Sequence, residues 1–265
     1  MNQIGQRNPL GWCLSPRQRT EARPTKTQYV IQLSGYIWAA ERLGRLEGLR
    51  VLDVACGEGM GIAPLTQLGA RAWAVDLDSS ALCRARSRCA QPNVKFIAMD
   101  AARLALAPGR FDFVISQDTL EHVDEDERFV SEIYRILKPG GAAVIFTPAS
   151  PVHVIRPRPE HLREYSVESL LALLTKYFRE VELFGRRPNS TLARMESSMN
   201  DVRRFDRFGV RRWMIPVAVR HFLGTWLLRK RGLPGLSATD PGLIEYFEGT
   251  EGTGTLIAWC RKELS

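Results

Sequence analysis

Long apolar runs are missing from this sequence, and none approaches the roughly 18 to 20 residues that a bilayer crossing needs, so no membrane span is expected. Cysteine is scarce and scattered. The five present (Cys13, Cys56, Cys83, Cys89 and Cys260) are odd in number and contain no Cys-x-x-Cys spacing. That argues against a disulfide framework and against a zinc site. Histidine is scarcer still, with His122, His153, His161 and His221 the only four, so a base of that type has few places to be. The first 28 residues alternate charge, Pro and Gln without the apolar stretch of a secretory signal, and a cytoplasmic protein is expected. No internal repeat is visible.

What is present is enough for one large core: 265 residues, 45% hydrophobic, carrying a net charge of +8. The charge is not spread evenly. Nine basic residues against two acidic ones between Asp201 and Gly232 give that stretch +7, leaving the rest of the chain close to neutral. Upstream, short apolar runs alternate with helical periodicity, the pattern of strands and helices around a parallel sheet. Strands are expected at 50–54, 71–75, 94–98, 111–116, 142–147, 181–184 and 255–260. Helices are expected at 29–46, 79–89 with Asp78 or Ser79 as N-cap, 126–137 closed by Lys138-Pro139-Gly140-Gly141, and 166–177. The last of these has Ser166 as N-cap and no full capping box, since Ser169 stands where Glu or Gln would. The organisation that follows is an N-terminal helical segment (1–48), an α/β core (49–185), a basic helical insertion (186–254) and a final core strand (255–265). Within the insertion, Val219, Phe222, Leu223, Trp226 and Leu227 fall on one helical face.

The segment Val51-Leu52-Asp53-Val54-Ala55-Cys56-Gly57-Glu58-Gly59-Met60-Gly61 reads as a buried strand turning through glycines into a helix. Glycine is needed where a chain bends sharply and a ligand approaches its backbone. A dinucleotide site would place a third glycine at position 62, and Ile62 stands there. The acid before the loop, Asp53, suits a ligand with a cationic amino end better than a pyrophosphate. The next strand ends at Asp76, 19 positions after Gly57, where such folds bind ribose hydroxyls. The alternative for Asp76 is capping of the following helix. Leu77 would pack on a ring, the third strand runs into Asp100-Ala101, and the fourth ends at Ser116-Gln117-Asp118. For Asp100 a turn role and a base contact both stand.

From Leu49 to Phe184 this series resembles the class I S-adenosylmethionine-dependent methyltransferases. The family's elements recur in order, including the Leu-Lys-Pro-Gly-Gly turn at 137–141. A bacterial small-molecule subgroup is closest in Ala-Cys-Gly-Glu-Gly (55–59), Glu-His-Val (121–123) and His-Leu-Arg-Glu-Tyr (161–165). The resemblance implies a Rossmann-like, doubly wound, mostly parallel seven-stranded sheet with an antiparallel last strand and a helical insertion before it. It implies S-adenosylmethionine held by Asp53, Ala55, Cys56, Gly57, Gly59, Asp76, Leu77, Asp100, Ala101 and Gln117. The reaction implied is methylation, usually at oxygen, of a small-molecule, sugar or lipid-linked acceptor.

His122 and His161 are the candidate acids or bases. If the chain turns helical after the fourth strand, Asp118, Glu121 and His122 share one face. Similar ubiquinone-pathway O-methyltransferases imply a divalent metal at such positions; bracing of the adjoining helix is the reading preferred, and no metal ligand is assigned. The basic insertion implies an anionic acceptor. Its 202–231 stretch is either a lid over the core or a peripheral contact with the inner membrane face. DNA is not expected as substrate: no Pro-Pro-aromatic motif follows the fourth strand and no cysteine follows a proline. An RNA-directed enzyme and a catalytically silent cofactor-binding protein remain as alternatives.

Overall fold

A computed structural model describes residues 26–89, 91–150, 161–192 and 243–264. The elements are α1 (Lys26–Leu43), β1 (Arg50–Val54), α2 (Ile62–Gln67), β2 (Arg71–Asp76), α3 (Ser79–Arg88), β3 (Val94–Ala98), β4 (Phe111–Gln117), α4 (Asp126–Ile136), β5 (Leu137–Pro148), α5 (Val167–Leu174), β6 (Glu180–Pro188), β7 (Ile244–Glu248) and β8 (Thr255–Arg261). The expected helix within 202–231 lies outside the described residues, as do His153 and His221.

One sheet of eight strands carries the fold, in the order β3-β2-β1-β4-β5-β8-β6-β7. β1 to β5 are parallel neighbours where they pair; β8 runs antiparallel between β5 and β6, and β7 antiparallel on β6. The strands expected from sequence are all present. The eighth, β7, is the difference from the seven expected, and it falls inside the stretch read as insertion. β6 likewise runs on to Pro188, so the ends of that stretch belong to the sheet. The short Ile-Glu-Tyr-Phe-Glu run has no turn signal tying it to its partner, because β6 lies more than 50 residues upstream.

The central strands are apolar on both faces because helices cover both. On one face α4 buries Phe129, Val130, Ile133 and Ile136 against Leu52, Val114, Ala143 and Ile145. On the other, α1 buries Tyr36, Ala39 and Ala40 against Val51, Phe113, Ile115, Val144 and Phe146. Trp38 anchors α1, stacked on Tyr246 with ring centroids 5.2 Å apart and meeting Phe146, Phe184 and Trp259 edge-on. The edge strand β7 is thus tied to the N-terminal helix.

Helix ends follow local chemistry. Asp78 caps α3, accepting from the Ser80 N–H at 2.8 Å. α4 stops one residue earlier than expected, since Leu137 already pairs with Phe111 as the first residue of β5. α5 does have a capping box: Ser169 N–H donates to Ser166 Oγ at 3.2 Å, and Ser166 N–H to Ser169 Oγ at 2.9 Å. A serine at this position accepts the reciprocal bond as Glu or Gln would, which corrects the sequence expectation.

Trp38→Ala removes contacts to four aromatic rings. It is expected to cost about 3 kcal/mol in urea unfolding; a loss below about 0.5 kcal/mol, ordinary for a surface position, would mean α1 is anchored elsewhere.

Candidate active site

Parallel strands end together at their carboxyl edge, and the crevice outside that edge is where such sheets bind ligands. Here the edge is built by the loop after β1, the end of β2, the turn after β3 and the segment after β4. A cavity of about 300 Å³ lies there, its wall including Ala55, Asp76, Leu77, Asp100, Ala101 and His122. Five expected cofactor residues and one expected catalytic residue therefore meet around one space.

The loop after β1 is held open by left-handed backbone. Ala55 (φ 60°), Gly57 (φ 53°) and Gly59 (φ 73°) all take conformations that favour glycine, with Ala55 tolerating the strain. A Cβ on Gly57 would touch nothing within 4 Å, so the space beside it is free for a ligand. A Cβ on Gly59 would instead come within 3.0 Å of Ala85 on α3, so this glycine serves packing. Glu58 between them is clamped by Arg84 and Arg88 of α3.

Asp76 ties two strand ends together. One carboxylate oxygen accepts from the Gly57 N–H at 2.7 Å and the other from the Asp78 N–H at 2.8 Å. The capping alternative for Asp76 thus resolves differently: Asp78 caps α3, and Asp76 braces the glycine loop while lining the cavity. Asp100 takes the expected turn role, accepting from the Ala102 N–H at 2.8 Å, and also stands on the cavity wall. Leu77, 76% exposed, offers an apolar face with no protein cover.

Asp53, Cys56 and Gln117 are not on that wall. Asp53 is fully buried beneath the loop, and both its oxygens accept from the Tyr36 hydroxyl, at 3.1 and 3.2 Å. Burial lifts its carboxyl to about 7, with the Tyr36 bond pulling downward and nearby Asp76 upward. Tyr36 reaches Asp53 only because Gly61 lacks a Cβ, which would sit 2.0 Å from the tyrosine ring. Cys56 is a buried thiol, its ionisation pushed well up by burial. Gln117 turns to the α1 face, where its amide lies against Gly35 and Phe146 with both polar atoms buried and unpartnered.

After β4 the expected helical face does not form. Asp118 adopts a left-handed conformation (φ 52°) outside the single 3₁₀ turn Leu120–His122. Its carboxylate meets Arg186 of β6 at 3.6 Å, while its charge still adds to the burial that raises the Glu121 carboxyl. The residue that joins Glu121 and His122 is His161, whose ring centroid is 5.0 Å from that of His122. Glu121, His122 and His161 each offer a ligand atom, all within 4.8 Å of one another. Such a carboxylate and two imidazoles suit a divalent transition metal, with His161 in the place that sequence spacing gave to Asp118. Glu121 is buried, accepts from Thr147 Oγ1 at 3.0 Å, and is raised by that burial. His161 Nδ1 lies 3.0 Å from Glu164 Oε1, which orients the ring.

Arg186 was invisible in the sequence. Only 6% exposed, it spans from β6 to the edge of β4, donating weakly to the Ile31 carbonyl at 3.3 Å, with its Nε buried and unpartnered. The rest of the guanidinium meets Asp118, the Tyr246 hydroxyl and the Phe146 ring, so only the Nε donor stays open. With Gln117 and Asp118 it forms a polar patch under α1, beside the crevice edge.

Residues 52–145 match the family model described as a methyltransferase domain. A probable S-adenosylmethionine-dependent methyltransferase of Mycolicibacterium smegmatis is 32% identical over 142 residues, 52% of this chain and 54% of that protein. A ubiquinone biosynthesis O-methyltransferase of Brucella ovis is 35% identical over 104 residues, 38% of this chain and 42% of its own. The chain thus spans about half the length of the curated relatives it matches. The phosphoethanolamine N-methyltransferase 2 of Haemonchus contortus, solved with S-adenosylmethionine, shares the fold at TM-score 0.57 and 19% identity, over 90% of this chain and 57% of that one. Fold, crevice and family match agree: residues 52–145 match a methyltransferase domain, and the chain is similar there to S-adenosylmethionine-dependent methyltransferases.

Proposed function

We propose that this protein transfers a methyl group from S-adenosylmethionine to an oxygen of a small anionic acceptor. The observation that carries the reading is that one cavity is walled both by Asp76 and Leu77 and by His122, so the cofactor crevice and a proton acceptor share a space. The cradle fits the group: free space beside Gly57 for the methionine part, the Asp76 carboxylate for ribose hydroxyls, and Leu77 with Asp100 for the adenine. When bound, the sulfonium supplies an activated methyl carbon, and the protein's remaining task is alignment and removal of water.

His122 takes the acceptor hydroxyl proton, with Glu121 and the Glu164-oriented His161 behind it. The same three side chains are the ones a divalent cation would use to lower that hydroxyl's pKa. Arg186, with its Nε donor open, favours an acceptor with a negative group. The Brucella ovis relative, named as an O-methyltransferase, supports oxygen as the atom methylated. The stretch from Asp201 to Gly232 adds its +7 to the anionic preference, as a lid or as a membrane contact.

The test is incubation with labelled cofactor and a fractionated extract of the host, followed by mass spectrometry of the labelled compound. An anionic O-methyl product is expected. A labelled RNA, or no labelled product despite cofactor binding, overturns the reading. His122→Ala is expected to lower kcat by about 100-fold, the usual range for a lost general base, with S-adenosylhomocysteine affinity unchanged; unaltered kcat would return His122 to a bracing role.

Asp76→Ala removes a cavity wall and the brace on Gly57 together. Affinity for S-adenosylhomocysteine by calorimetry is expected to fall at least about 100-fold, the scale of two lost charge-assisted bonds, while circular dichroism stays native.

Asp53 gives a pH signature. Its folded carboxyl, near 7, lies above the ordinary value of 3.8, so it favours the ligand-free fold at low pH, and that contribution is lost as pH rises toward 7. Ligand binding runs the other way, because the cationic amino end of the cofactor prefers Asp53 ionised. Affinity for S-adenosylhomocysteine should rise about tenfold from about pH 6 to about pH 8, and Asp53→Asn should flatten the profile. An unchanged slope in that variant would show that Asp53 does not sense the ligand.

A further inference from the structure

The edge opposite the crevice, where the strands begin, collects positive charge. Arg50 opens β1, Arg71 opens β2, Lys95 is the second residue of β3, and Arg110 immediately precedes β4. Because these four strands are parallel and adjacent, their starts meet on one rim: Arg50 stands in register with Arg71, and Lys95 with Trp73. All four cations line an open cleft of about 820 Å³ whose lining contains no Asp or Glu. Among the described residues none of the four makes a side-chain ion pair. The acid beside Arg110 in sequence, Asp112, is held by the Lys138 ammonium and the Arg50 backbone N–H.

The arrangement is costly without an anion. Like charges facing each other on neighbouring strands repel, and although Arg50, Arg71 and Lys95 are exposed to solvent, Arg110 is half-buried. The Arg110 guanidinium lies 5.4 Å from the centre of the buried Trp73 ring, and the Lys95 ammonium lies 5.7 Å from it. The indole draws both charges inward instead of letting them disperse. Arg110 Nε is buried without a partner, so a directional donor is left open. Guanidinium forks match phosphate oxygens in pairs. Three guanidinium groups and an ammonium exceed what one monoanion neutralises, and the cleft volume is that of a small-ligand site.

We propose that this cleft binds a ligand bearing a diphosphate group, at a site separate from the methyl-transfer crevice. Diphosphate spans two cations at once and carries enough charge to cancel the repulsion between Arg50 and Arg71. The site does not depend on the acceptor or on the proposed reaction.

The test uses the full chain saturated with S-adenosylhomocysteine, so that the crevice is filled. Inorganic diphosphate, ADP and sulfate are titrated separately by calorimetry at one ionic strength. Diphosphate is expected to bind with a dissociation constant near about 0.1 mM, and sulfate at least about tenfold more weakly. ADP binding tighter than diphosphate would identify a nucleotide carrier; equal affinity would show that recognition stops at the phosphates, and either supports the site. Arg71→Ser with Arg110→Ser should weaken diphosphate at least about tenfold and leave S-adenosylhomocysteine affinity unchanged. Lys95→Gln alone, at an exposed strand position, should give a smaller loss of the same kind. Diphosphate binding no better than sulfate, or binding unaltered in these variants, overturns the proposal.

Discussion

The bond pair made by the Asp76 carboxylate is the constraint on which the crevice rests. It joins the end of β2 to the loop after β1 by accepting from Gly57 and Asp78. Without it, a loop with three left-handed residues in five would have little reason to hold one shape, since each such residue narrows what the chain tolerates. The clamp of Arg84 and Arg88 on Glu58 fixes the loop from the other side. The cavity wall is rigid because its polar groups are committed to one another before any ligand arrives.

A second layer of polarity lies beneath α1, where an apolar interface would be simpler. Asp53 is buried against Tyr36, and Gln117, Asp118 and Arg186 gather beside Gly35. Neither amide atom of Gln117 nor the Arg186 Nε has a partner, and buried polar groups left in that state favour whatever completes them. The helix that covers them is held by aromatic packing around Trp38, which is indifferent to charge. Stability and polarity are thus divided between different residues of the same helix, and its polar side faces the crevice edge.

The two edges of the sheet are chemically unlike. The carboxyl edge carries carboxylates and imidazoles around a narrow cavity, while the amino edge carries four cations around a wide cleft. Strand starts and strand ends are separated by the thickness of the core, so charges on one edge are screened from the other.

Much of the fold was legible because its elements are local. The alternation of apolar runs with helical periodicity, and the glycine spacing after Asp53, are written over a few residues each, and the strands followed from them. Asp76, Leu77, Asp100 and Ala101, which line one cavity, were singled out for the same reason: each sits at or just past a strand end, a position that the pattern marks. Tertiary structure alone decided three things. The ligand-bearing group became Glu121, His122 and His161, with left-handed Asp118 outside it and His161 brought in by chain return. Arg186 and Gln117 became a buried polar patch because the sheet sets β6 on the same side of β4 as β5, with β5 and β8 between. The four cations at the strand starts became one cleft because parallel strands align their beginnings. In each case the contact joins residues tens of positions apart, and no local rule of spacing carries that distance; the register of the sheet does.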